Sequence, residues 1–180
     1  LIEYGAVTCS HCAEFEQTAF EPLKAQYIDT GKVRFELRNF LLNQFDVPIT
    51  MLTRCAGADQ FFPLTEEVFA NQEALMAPVI EISQNNPQVL EQAVSAPPNE
   101  RFYNLAKVSG MLNFFKERGI SDADARTCLG DTDAVEKLVN MTQAGATKGV
   151  TGTPTFYMNG EKLPANTWEA MEPLLVAATK

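Results

Sequence analysis

Apolar and polar residues change their rhythm three times along this chain. Leu1-Ile2-Glu3-Tyr4 reads as a strand that runs into a loop over 5–8. Phe15, Ala19, Leu23 and Tyr27 then recur about every four residues, the period of one helical face, so a helix is predicted from Cys9 onward. Pro22 falls inside that run and predicts either a kink or the first turn of a second helix, and Gly31 ends it. From Lys32 to Phe40 the pattern switches to strict alternation, with Val33, Phe35 and Leu37 against Arg34, Glu36 and Arg38, as in a half-buried strand. The first forty residues therefore predict a βαβ unit.

Residues 45–130 contain no strand pattern. They read as several short helices punctuated by Pro48, Gly57, Pro63, Pro78, Pro87, Pro97-Pro98, Gly110, Gly119 and Gly130. Ser121 and Asp124 have the spacing of a helix-start capping box. A longer amphipathic helix is predicted over 131–147, with Val135, Leu138, Val139 and Thr142 on one face. Thr155 to Met158 is β-prone, Asn159-Gly160 is a hairpin turn, and Glu161 to Leu163 is the return strand. The terminal helix carries Trp168, Met171, Leu174 and Leu175, with its main run expected to start at Pro173. The predicted class is α/β: a βαβ part (1–44), an inserted all-helical domain (45–130), and an α-ββα part (131–180).

Composition narrows the function. The chain has 180 residues, of which 46% are hydrophobic, enough for a sizeable core. Its formal net charge of −9 argues against a nucleic-acid partner, because phosphate binding needs clustered Lys and Arg. No apolar run approaches the roughly 20 residues of a membrane helix. The sequence opens at Leu1, inside a predicted strand and without an initiator Met, which fits the loss of a leading segment.

The chemistry is carried by Cys9-Ser10-His11-Cys12 at the predicted start of a helix. Disulfide exchange needs a thiolate and a second thiol that resolves the mixed disulfide. A Cys at a helix N-terminus has its thiolate stabilised by free N–H groups and by the helix dipole. The second Cys lies one turn further in, and His11 is suited to tune the first. Half of a zinc site is the lesser reading: His11 is the only His, no second C-x-x-C exists, and no metal is expected. A cysteine hydrolase fits worse, since its base would sit in the same turn as the nucleophile. Gly152-Thr153-Pro154-Thr155-Phe156 places a Pro at the start of a strand, where it cannot donate to the ladder. Cys55 and Cys128 are isolated, each two residues before a Gly; by themselves they fit two buried thiols or a bridge.

A C-x-x-C helix after the first strand, Thr-Pro-Thr-Phe before a hairpin, and a helical block between the halves together resemble the DsbA-like branch of the thioredoxin fold. Cys-Ser-His-Cys is close to the Cys-Pro-His-Cys usual in that family. The resemblance covers essentially the whole chain, apart from a strand that the family carries before Leu1. It implies a dithiol oxidase that introduces disulfides into exported proteins, with Cys9 exchanging, Cys12 resolving and His11 tuning. It implies a cis Pro154, a Thr153 whose backbone pairs with an incoming peptide, and Glu3 as a buried acid serving Cys12, where the residue itself reads equally as a solvated strand position. It also implies a bridge between Cys55 and Cys128, closing a loop of about 73 residues worth at most roughly 4 kcal/mol. Expected partners are reduced exported proteins and a DsbB-like membrane oxidase, with no cofactor, a monomeric state and an exported or periplasmic location. Ser10 in place of Pro, and Thr153 where many oxidases have Val, leave open an isomerase or reductase on the same fold; a non-enzymatic thioredoxin-like module binding a partner or a metal is the third alternative.

Overall fold

The computed structural model describes residues 1–179. Four strands form one mixed sheet in the order β2-β1-β3-β4, with β1 (Ile2–Gly5), β2 (Glu36–Asn39), β3 (Thr155–Met158) and β4 (Glu161–Lys162). β1 and β2 are parallel, in the register Ile2↔Glu36 to Gly5↔Asn39, and the crossover between them is the first long helix. β1 pairs with β3 antiparallel, Glu3 facing Phe156, and β3 turns back onto β4 at Asn159-Gly160, where both φ angles are positive. β2 is shorter than the alternation of 32–40 predicted. Its partner offers only four residues, so Val33 and Phe35 pack as an extended lead-in outside the ladder.

The first helix runs unbroken over 10–28. α1 (Ser10–Phe15) and α2 (Glu21–Leu23) are joined and extended by π-helical turns at Glu16–Phe20 and Lys24–Ile28. Pro22 does not end the helix, because the wider turns beside it ease the clash of its ring and the loss of its N–H. Phe15, Ala19, Leu23 and Tyr27 form the buried stripe. They pack with Phe156 and with Met171 and Leu175 of the terminal helix α11 (Trp168–Ala178). α11 is one helix, and Pro173 lies within it rather than at its start; the exposed ring there interrupts the backbone ladder on the solvent side.

The helical block consists of α3 (Asp46–Cys55), α4 (Ala58–Ala70), α5 (Gln72–Asn85), α6 (Pro87–Val94), α7 (Pro98–Val108), α8 (Met111–Lys116) and α9 (Asp122–Leu129). Pro63 and Pro78 lie inside α4 and α5, so they do not punctuate the block; tertiary packing of the flanking turns overrides the loss of one helical bond each. The capping box at Ser121 is present, with Ser121 Oγ accepting from the Asp124 N–H at 3.1 Å. α10 (Thr132–Thr147) buries Leu138 and Gly145 and half-buries Val135 and Thr142. Val139, expected on that face, is exposed, one step of about 100° away from Leu138. A methyl group on Gly145 would come within 2.9 Å of Tyr4, so the missing side chain sets how closely α10 lies on the sheet.

The largest core cluster has no seam at the edge of the helical block. It runs from Leu52, Val68, Ala106, Met111 and Phe115 into Ala6, Val7, Cys9 and Cys12.

Candidate active site at the start of α1

β1 ends in a tight turn in which the Cys9 N–H donates to the Ala6 carbonyl at 3.1 Å. Cys9 is then the N-cap of α1, extended in backbone, with its carbonyl accepting the first helical bond from Ala13 at 3.1 Å. The site is thus built from a strand end and a helix start, as the C-x-x-C spacing requires. Both sulfurs are free thiols and buried, Cys9 at 9% exposure and Cys12 at 1%.

The two thiols are driven apart in acidity. Cys9 is lowered to about 5, chiefly by a hydrogen bond from the Cys12 thiol; burial opposes this, and the Thr153 side chain and the backbone N–H groups of Cys12 and His11 add to it. Cys12 is pushed up by that same hydrogen bond to Cys9, then by burial and by the Glu3 carboxyl. Around neutral pH the site holds one proton between two sulfurs, and that proton resides on Cys12.

Pro154 is buried, and the Thr153–Pro154 peptide bond is cis. Cys9 Sγ lies 3.3 Å from the Thr153 carbonyl oxygen, across 144 residues of sequence, and donates to it only while it carries its own proton. Thr153 Oγ1 is buried and has no hydrogen-bond partner among the described residues while Cys9 is a thiol. The approach to this loop is tied by its neighbours. Tyr157 Oη donates to the Lys148 carbonyl at 2.6 Å, and Lys162 Nζ donates to the Gly149 carbonyl at 2.9 Å.

Glu3 is buried at 3% exposure, which removes the reading of a solvated strand residue. It points to the same face of the sheet as Phe156, beneath the first helix, because paired residues share a face. Its carboxyl lies over Gly5, where a Cβ would meet Glu3 Oε1 at 2.8 Å. Burial, then the charges of Glu16 and Cys9, raises Glu3 to about 8, so it is protonated at neutral pH. His11 and Ser10 lie on the exposed rim. The His11 ring sits 3.4 Å from Glu14 Oε2, while its backbone N–H serves Cys9.

Three residues were not singled out in the sequence. Asp46, almost fully buried, accepts the backbone N–H groups of Thr8 at 3.0 Å, Leu42 at 2.8 Å and Asn43 at 3.0 Å, which locks the turn before Cys9. Gln72 Nε2 donates to the carbonyls of Val7 and Cys9. Glu16, in the π-turn, is raised to about 8 by burial and by Glu66 and Glu21. Glu16 lies four residues after Cys12, one helical turn on, and that spacing was the only available signal. Asp46 and Gln72 carry no motif. Cys55 and Cys128, 73 residues apart, are bridged between α3 and α9. No group of three metal-capable side chains occurs among the described residues.

The family model described as Thioredoxin matches residues 1–177. The chain belongs to the thioredoxin family. Its structure resembles that of a protein-disulfide isomerase from Novosphingobium aromaticivorans, with a TM-score of 0.89 and 25% identity over 99% of this chain and 91% of that one. It also matches the fold of Wolbachia pipientis alpha-DsbA1, with a TM-score of 0.71 and 22% identity over 99% of this chain and 84% of the other. In sequence, the chain is 28% identical over 162 residues to the "Putative protein-disulfide oxidoreductase" of Rickettsia bellii, covering 89% of this chain and 52% of that protein. The chain thus spans about half the length of the curated relatives it matches.

Proposed function

We propose that this chain is a thiol–disulfide oxidoreductase working as a dithiol oxidase on exported proteins. The observation that carries the reading is the divided acidity of Cys9 and Cys12 beside the Thr153 carbonyl. A thiolate stabilised at Cys9 favours the dithiol over the disulfide, so the disulfide is a strong oxidant. Cys9 is also the better leaving group when a mixed disulfide is resolved.

The reaction starts from the Cys9–Cys12 disulfide. A substrate thiolate attacks Cys9 Sγ, the Cys9–Cys12 bond breaks, and Cys12 leaves with the electron pair. Cys12 then takes a proton, which the neutral Glu3 beneath the site is placed to supply. A second substrate thiolate attacks the substrate sulfur of the mixed disulfide and expels Cys9 as its stable thiolate. The substrate gains a disulfide, and two electrons reside on the Cys9/Cys12 dithiol. An extended substrate segment pairs with the Thr153 backbone beside Pro154, in the manner of strand addition. Ser10 and the His11 ring line the exposed side and tune the exchange. Restoring the disulfide requires an external oxidant, for which a DsbB-like membrane partner is the natural class. Among the described residues no helix is long and apolar enough to cross a membrane.

A second reading, isomerase or reductase on the same site, is favoured by the unpartnered Thr153 hydroxyl against Cys9 and by the likeness to a protein-disulfide isomerase structure. Equilibrating the purified chain with glutathione separates the two. A potential well above the roughly −270 mV of thioredoxin, towards the roughly −120 mV of strong oxidants, supports the oxidase. A value near or below thioredoxin's replaces it with the second reading. Absence of any exchange by Cys9 overturns both.

A further inference from the structure

Besides Asp46 of α3, the helical block reaches the site at residues 69–72, the corner between α4 and α5. Gln17 Nε2, on the first helix, donates to the Phe69 carbonyl at 3.3 Å. Three residues later Gln72, the first residue of α5, sends its Nε2 back to the Val7 carbonyl at 2.8 Å and the Cys9 carbonyl at 3.0 Å. Both acceptors are carbonyl oxygens, so only the NH₂ end of the amide fits there, and the orientation of Gln72 follows from chemistry. The two acceptors bracket the nucleophile. Val7 is buried, and the Cys9 carbonyl already accepts the first helical bond from Ala13.

We infer that Gln72 is a positioning residue for Cys9: its amide pins the carbonyls on either side of the turn and so lets the helical block set the reactivity of the thiolate. The amide hydrogens carry partial positive charge. Placed on these carbonyls, they offset the negative partial charge of two oxygens beside the Cys9 thiolate and fix the backbone that carries it. This effect acts on the thiolate and not on the neutral disulfide, so it favours the dithiol and makes the disulfide more oxidising. Gln72 does not touch the sulfur and takes no part in bond making. The inference rests on the oxidoreductase reading above.

The test uses the full chain with Gln72→Leu, which keeps the bulk and removes the donors, and Gln72→Glu, which sets a carboxylate against the carbonyls. Exposed Glu73→Gln, on the next residue, serves as the control. Thiolate absorbance against pH gives the acidity of Cys9, and glutathione equilibration gives the balance of dithiol and disulfide. Gln72→Leu is expected to move the Cys9 titration to higher pH and make the disulfide about 3- to 10-fold less oxidising in its equilibrium constant, as for the loss of one to two modest hydrogen bonds. Gln72→Glu is expected to shift both further, and Glu73→Gln neither. Unchanged titration and equilibrium in folded Gln72→Leu overturn the inference while leaving the oxidoreductase reading intact. Failure of the unaltered chain to exchange with glutathione overturns that reading instead. If both variants fail to fold, the Gln72 side-chain amide resonances of the unaltered chain decide. They are expected to move between the reduced and oxidised protein, and resonances that stay in place overturn the inference.

Discussion

Two pairs of cysteines sit in one chain and are treated in opposite ways. Cys9 and Cys12 are neighbours on one helix start and stand as free thiols of very different acidity. Cys55 and Cys128 are 73 residues apart and bridge α3 to α9 instead of sharing one helix start. A short, dipole-facing ring is easily opened because its open form is stabilised. A bridge that closes a long loop restricts the unfolded chain and gains little from opening. What separates a reagent from a staple is therefore the environment of the reduced sulfur, not the bond itself.

The sharpest way to break this comparison is to remove one sulfur at a time. Cys9→Ser is expected to abolish disulfide transfer to a reduced model protein, read by thiol titration. Cys12→Ala leaves no resolving thiol, so a mixed disulfide at Cys9 accumulates and is seen by mass spectrometry. The double variant Cys55→Ala/Cys128→Ala is expected to keep exchange at Cys9. It loses stability of up to roughly 4 kcal/mol in denaturant titration, the limit for so long a loop. Loss of exchange in that variant would mean that the two pairs are not independent.

A smaller effect comes from pH. Cys9 has its acidity raised in the folded, reduced chain, to about 5 from the ordinary 9.0. Between those values the unfolded thiol holds a proton that the folded one has released, so stability rises with pH across the window and is lost as pH falls through about 5. The oxidised chain lacks this contribution. The stability of reduced over oxidised protein is thus expected to grow from about 5 to 9.0 on the pH scale, measured by paired denaturant titrations. Glu3 acts in the other direction: its folded value is about 8 against 4.5, so its contribution falls as pH rises between them. Glu3→Gln is expected to stabilise the chain near pH 8 relative to pH 5 and to slow the step in which Cys12 is released.

The two regions also differ in how legible they were. The βαβ and ββα parts followed from period and turn chemistry, because each strand and helix there reports its own buried face. The block over 45–130 was legible only as helical. Pro63 and Pro78 look like breakers but lie inside helices, since packing of the surrounding turns outweighs one missing bond. In the site, the structure brings Cys9, Cys12, Thr153 and Pro154 together, while the sequence left Glu3 open between a buried acid and a solvated strand position and only the fold shows it buried. Gln72 and Asp46 were invisible. Both act on backbone groups across 38 to 65 residues of sequence, and a side chain that holds backbone leaves no partner residue to recognise.

Asp46 makes that last point into a rule about variation. Its carboxylate grips the peptide N–H groups of Thr8, Leu42 and Asn43, and every residue except proline offers the same N–H. At Leu42 the lock does not depend on the side chain, which is half exposed, whereas the side chains of Thr8 and Asn43 bond to each other beside it. In a saturation library screened for disulfide transfer, position 42 is expected to accept nearly everything but proline. Position 46 is expected to accept almost nothing, Glu and Asn included, because its carboxylate is spent on backbone N–H groups at fixed distances.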